Sequence, residues 1–136
     1  MEGLPAQHEL FDAFGPSEVT VETLTSGRSI LFFGRYNDWQ RFGVDTATGA
    51  VVVVHESDNS VGHVNASVTT FARSLDAFTS SCPFGSREDE EHDTVAAAFR
   101  DRLREIDPTS LREDPGFWHQ LLFDISIGDW VAEEFD

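Results

Sequence analysis

Ile30-Leu31-Phe32-Phe33-Gly34, Arg41-Phe42-Gly43-Val44-Asp45, the turn Thr46-Ala47-Thr48-Gly49 and the run Val51-Val52-Val53-Val54 follow one another inside residues 29–75, and this stretch decides the fold. The runs are short, rich in β-branched and aromatic side chains, and separated by Gly, Asn and Asp, which supply the backbone angles that tight connections need. Three successive strands are the simplest reading. The four valines show no alternation, as expected of a strand covered on both faces. Gly62 and His63 interrupt the next apolar run, which predicts a further strand that is short or bulged. Beyond Val64 the period changes. Val68, Phe71, Leu75 and Phe78 recur at spacings of three, four and three, so one apolar stripe runs along a helix whose N-cap oxygen comes from Asn65 or Ser67.

Upstream, Val19, Val21 and Thr23 alternate with Glu18, Thr20 and Glu22, the pattern of an edge strand with one wet face. Residues 7–14 read as a short helical turn broken by Gly15-Pro16-Ser17, and Gly3-Leu4-Pro5 as a helix stop. Downstream, residues 79–86 have loop composition, and an acidic run leads into a second helix with Val95, Phe99, Leu103 and Ile106 on one side. Arg100, Arg102 and Arg104 lie toward that helix's negative end, and Asp107-Pro108 ends it. Asp114-Pro115 reads as N-cap and first position of a third helix that buries Trp118, Leu121, Leu122 and Ile125 and closes at Gly128. The whole is an α+β fold: an antiparallel sheet of about five strands flanked by helices, one domain over residues 1–136. A chain of 136 residues buries about two thirds of its unfolded surface, which suits one core.

No segment approaches the roughly 18 to 20 apolar residues of a membrane span, and no secretory signal opens the chain, so a soluble, cytoplasmic protein is expected. Cys82 is the single cysteine, which excludes an internal disulfide and a cysteine metal cluster. Net charge is -16, from 25 acidic against nine basic residues, all of them Arg. Such a field repels nucleic-acid phosphates and anionic membranes and attracts cationic partners; a salt-adapted or GC-rich origin of the acidity is the competing explanation.

For catalysis the residues offer little. His55-Glu56-x-Asp58 with His63 brings nitrogen and oxygen donors together, but at no known ligand spacing, so an exposed polar loop is the preferred reading. Cys82 with a histidine elsewhere would make a nucleophile and base, but a lone cysteine is more often a small buried hydrophobe or a bystander, and no glycine-rich phosphate loop occurs. No catalytic, metal or cofactor residues are assigned. Phe71, Phe78, Phe99, Trp118 and Leu122 sit on helical stripes and belong to the core. Tyr36, Trp39 and Trp130 stand beside polar residues, where an interface role competes with packing.

Gly3-Leu4-Pro5, Phe33-Gly34, the turn and strand Asp45-x-x-Thr48-Gly49-x-Val51, the helix start Val64-Asn65-x-Ser67-x-x-x-Phe71, and Trp118 late in the chain together resemble the SUKH-4 family of the SMI1/KNR4 superfamily. Ala66 departs from an expected Ser, and no helix-length segment precedes Gly3. The resemblance implies an SMI1/KNR4-like fold in which Gly34, Asp45, Gly49, Asn65, Ser67, Phe71 and Trp118 are structural positions. It also implies an immunity protein that binds and neutralises the toxin domain of a bacterial polymorphic toxin system. Joined to the charge, this gives a partner with a basic surface, such as a nuclease, occluded stoichiometrically. The candidate contact residues are Glu88, Asp89, Glu90, Glu91 and Asp93, then Asp38 and Trp39. A non-catalytic regulatory or scaffold module of the same superfamily is the alternative.

Overall fold

The computed structural model describes residues 7–8, 10–81, 92–112 and 116–127. Among these, seven antiparallel strands, β1 (Gln7–His8), β2 (Phe11–Ala13), β3 (Thr20–Thr23), β4 (Ser29–Asn37), β5 (Gln40–Asp45), β6 (Val51–His55) and β7 (Val61–Asn65), precede three helices, α1 (Val68–Ser81), α2 (His92–Ile106) and α3 (Phe117–Ser126). The sheet order is β1-β2-β4-β5-β6-β7, with β3 also on β4. The α+β class and the antiparallel sheet with flanking helices are therefore as expected. No helix of the described residues is long and apolar enough to cross a membrane.

β4 is the spine. Its first half pairs with β3, Thr23 opposite Ser29 and Thr20 opposite Phe32, and its second half pairs with β2, Asp12 opposite Arg35 and Ala13 opposite Gly34. The expected helical turn over residues 7–14 is thus wrong: β1 and β2 form a hairpin. The edge of β4 beyond Phe32 needs hydrogen-bond partners, and Phe11 fills the space above Gly34, where any Cβ would collide with its ring and with the Asp12 carbonyl. The expected wet-faced edge strand is β3, though all four of its residues are exposed. Pairing with β4 and the ion pair from Glu22 to Arg41, at 2.7 Å, hold it in place. Tyr36 and Asn37 belong to β4, so only Asp38 and Trp39 separate it from β5.

The four valines alternate into two cores, as their lack of polarity required. Val51 and Val53 face the helices with Phe33, Phe42, Phe71, Leu75 and Phe78. Val52 and Val54 face the other side with Ile30 and Phe32, flanked by Phe14, Leu24 and Val61. On that second face the Arg41 guanidinium lies 3.8 Å from the Phe32 ring centroid and is held by Glu22 and by Glu56 at 3.2 Å. A cation over an aromatic face, itself flanked by two carboxylates, keeps its charge while shielding apolar surface.

α1 packs on β7 and α2, and α3 packs on β7 and α2. Aromatic rings make the joints: Phe42 to Phe71 at 5.0 Å, Phe42 to Phe117 at 5.2 Å, Phe117 to Trp118 at 5.1 Å, and Phe99 to Trp118 at 6.3 Å. The third helix begins at Phe117 with Gly116 as its N-cap, which corrects the expected Asp114-Pro115 start; residues 114 and 115 lie outside the described residues, as do Gly3-Leu4-Pro5, Cys82, Gly128 and Trp130. Ser67 caps α1: its Oγ accepts the Thr70 N–H at 3.1 Å, and Thr70 Oγ1 accepts the Ser67 N–H at 3.2 Å, a reciprocal cap.

Asn65 is therefore released from capping and is fully buried. Its Oδ1 accepts the Trp118 Nε1–H at 3.1 Å, and its Nδ2 donates to Asp107 Oδ2 at 2.9 Å and to Ser74 Oγ at 3.2 Å. The amide can face only this way, because indole only donates and an ionised carboxylate only accepts. Asp107 also accepts the Ala66 N–H at 2.7 Å, the Thr109 N–H at 2.9 Å and the Thr109 hydroxyl at 2.7 Å. That hydroxyl points its proton at Asp107, so its oxygen accepts from His63 Nε2 at 2.9 Å. One network thus joins β7, α1, the α2–α3 connection and α3.

Replacing Asn65 by Ala leaves the Trp118 indole N–H and part of the Asp107 carboxylate buried without their partner. Asn65→Ala should lower the free energy of unfolding by about 3 kcal/mol, read from urea melts. Burial alone would raise the Asp107 pKa, but the hydrogen bonds from Thr109, Ala66 and Asn65 outweigh it and hold the group at about 2, against an ordinary 3.8. A carboxyl depressed on folding stabilises the fold above its unfolded pKa, and the stabilisation fades as pH falls through about 4 toward 2. It amounts to about 2 kcal/mol. Stability measured against pH should fall across that window, and Asp107→Asn should flatten the fall while lowering stability at neutral pH.

Candidate partner-binding surface

The motif residues lie in the scaffold. Gly34 makes room for Phe11, and Gly49 adopts φ +80° in the β5–β6 turn, a left-handed angle that glycine takes without strain. Asp45 closes that turn. The Ala47 N–H, 2.9 Å from Oδ1, and the Arg28 guanidinium, 2.9 Å from Oδ2, together outweigh burial and hold its carboxyl below the usual range. Asn65 and Trp118 are the two ends of one hydrogen bond, Ser67 caps α1, and Phe71 stands at the centre of the aromatic core. These positions hold the fold and present no side chain in the cleft described below.

Among the candidate contact residues, Glu88, Asp89, Glu90 and Glu91 lie outside the described residues. Asp93 is exposed in the first turn of α2, where its charge complements the positive helix end. Asp38 and Trp39 form the tip of the β4–β5 hairpin. The Trp39 N–H donates to Asn37 Oδ1 at 2.9 Å, and its carbonyl accepts the Glu56 N–H at 2.8 Å, so the backbone is pinned on both sides. Trp39 is nevertheless 69% exposed. A large aromatic held outward on a fixed turn, beside a carboxylate, has the character of an interface anchor.

Next to this tip opens a cleft of about 290 Å³, lined on the sheet side by Tyr36, Gln40, Val53 and His55 and on the helix side by Phe117, Gln120, Leu121 and Asp124. Tyr36 packs edge-on against Phe117 at 5.2 Å. Burial, and then the Asp124 carboxylate, push the Tyr36 phenol up. Gln120 Nε2 reaches Asp124 Oδ1 at 3.4 Å. On the outer arc of α3, Phe123 and Ile127 are 50% and 62% exposed. Their signal was present in the sequence: both fall outside the stripe of Trp118, Leu121, Leu122 and Ile125, yet both are large and apolar. Gln40, Gln120 and Asp124 gave none, since each is an ordinary surface residue until strand and helix meet.

The residues weighed for metal binding separate. Glu56 pairs with Arg41, Asp58 Oδ1 accepts the Ser60 N–H at 3.0 Å, His63 turns toward Thr109, and His55 lines the cleft. Among the described residues no group of three His, Cys, Asp or Glu is arranged to hold a metal ion.

No curated protein and no solved structure matches the chain. A family model for the SUKH-4 immunity protein matches residues 3–124, and so spans the sheet, the β5–β6 turn with Asp45 and Gly49, the buried Asn65 with its Trp118 partner, and α3 as far as Asp124. With the antiparallel sheet and its three helices in place, the chain belongs to the SUKH-4 immunity protein family, whose members confer immunity to toxins.

Proposed function

We propose that this protein neutralises a cognate toxin domain of a polymorphic toxin system by covering it stoichiometrically, without turning over a substrate. The contact surface is centred on Trp39 and Asp38 at the β4–β5 tip and continues over the neighbouring cleft to the outer arc of α3. The observation that carries this reading is the exposure of Trp39 on a turn whose backbone is fixed by hydrogen bonds: a rigid aromatic anchor loses little conformational freedom on binding. Phe123 and Ile127 add apolar area on the same side as the cleft residues Gln120 and Asp124 of α3.

The net charge of -16 favours a toxin with a basic surface, including a nuclease whose groove is built to hold phosphate. Long-range attraction of this kind acts mainly on the encounter rate and on the choice of partner, while buried aromatics slow release. The acidic run Glu88, Asp89, Glu90 and Glu91, with Asp93 after it, is assigned to steering and the Trp39 surface to holding. The chain acts in the cytoplasm in this reading.

Co-expression with the toxin-domain product of the adjacent reading frame should rescue growth and yield a one-to-one complex; a toxic neighbour that is neither bound nor neutralised would sink the proposal. Trp39→Ala should weaken that complex at least about tenfold, mainly through faster dissociation, with the melting temperature unchanged. Changing Glu88, Glu90 and Glu91 to Gln and Asp89 to Asn, all four together, should instead slow association and flatten its dependence on salt, so an unaltered on-rate removes this run from the interface.

A further inference from the structure

We infer that the cleft between α3 and the ends of β4 to β6 receives one arginine side chain of the protein partner, with Asp124 as its counter-charge and Tyr36 and Phe117 as its walls. The inference rests on the neutralisation reading above and gives it a chemical class of contact. Three features select the occupant.

The first is size. At about 290 Å³ the cleft stands at the small end of ligand pockets, which run from about 300 to 1,000 Å³, and so suits a single long side chain better than a nucleotide or an extended peptide. The second is charge. Asp124 lines the cleft, its field reaches the Tyr36 ring, and the whole chain carries -16, so an anionic group is opposed at both short and long range. The third is shape. Val53, Phe117 and Leu121 provide apolar lining, Tyr36 and Phe117 present rings set 85° apart, and Gln40 and Gln120 also line the cleft with side chains whose amide oxygens accept, that of Gln40 already taking the Asn37 Nδ2–H at 3.0 Å. A guanidinium answers all of these: it is planar, stacks on aromatic surface, is weakly hydrated and offers five donors. A lysine ammonium is a compact, strongly hydrated charge that fits the flat walls less well.

The test uses N-acetyl-arginine amide, with N-acetyl-lysine amide and N-acetyl-leucine amide as comparisons, titrated at millimolar concentration into the 15N-labelled full chain. The arginine probe should shift the side-chain amides of Gln40 and Gln120 and the backbone signals of residues 116–124. The lysine probe should do so more weakly and the leucine probe hardly at all, and Asp124→Asn should abolish the response while the remaining spectrum stays unchanged. Absence of a localised response, or equal shifts from the leucine probe, overturns the inference. In the toxin complex, Asp124→Asn should lower affinity about tenfold or more. A toxin that binds wild type and Asp124→Asn equally well refutes the arginine contact and leaves neutralisation standing. An arginine response in a chain that binds no toxin refutes neutralisation and leaves the cleft's preference for a guanidinium in place.

Discussion

A single buried amide ties this fold together. Asn65 receives the Trp118 indole proton and passes its own two protons to Asp107 and Ser74, and each of those partners belongs to a different helix or connection. Buried polar groups are costly unless satisfied, and here each donor finds an acceptor, so the network is specific where a purely apolar joint would tolerate sliding. The end of β7, the start of α1, the turn after α2 and the first turn of α3 are fixed to one point.

That point also explains how helices of modest length stay on the sheet. Asp107 sits at the N-terminal end of α1, accepting the Ala66 N–H where the helix dipole favours a negative charge. Above the sheet the aromatic rings from Phe11 through Phe42 and Phe71 to Phe117 and Trp118 form an unbroken series of tilted and edge-on contacts that run through the main core. The opposite face of the sheet follows another logic. Ile30, Phe32, Val52 and Val54 are buried there beside the Arg41 guanidinium, which is flanked by Glu22 and Glu56. A guanidinium laid over a ring and flanked by carboxylates covers apolar surface while keeping its charge paired.

The division between scaffold and surface bears on function. The residues by which the chain resembles its family maintain turns, a cap and the buried network, whereas the exposed Trp39 tip, the cleft beside it and the outer arc of α3 carry none of them. Loops and tips on a rigid sheet can change at little cost to the core, and the proposed contact surface is built from such positions.

By itself the sequence determined the strands from residue 29 to 65, the stripe of α1 and α2, the buried side of α3 and the capping role open to Ser67, because each follows from periodicity or turn chemistry within one element. It also marked Asn65 and Trp118 without showing that they bond to each other. The tertiary structure alone decided that Gln7–His8 and Phe11–Ala13 are strands rather than parts of a helical turn, since the free edge of β4 and the space over Gly34 lie far along the chain from them. It alone placed Tyr36, Gln40, His55 and Asp124 around one cleft. Local spacing encodes which side of an element is buried, but the partner of a polar side chain depends on which distant segments the fold brings within hydrogen-bond reach.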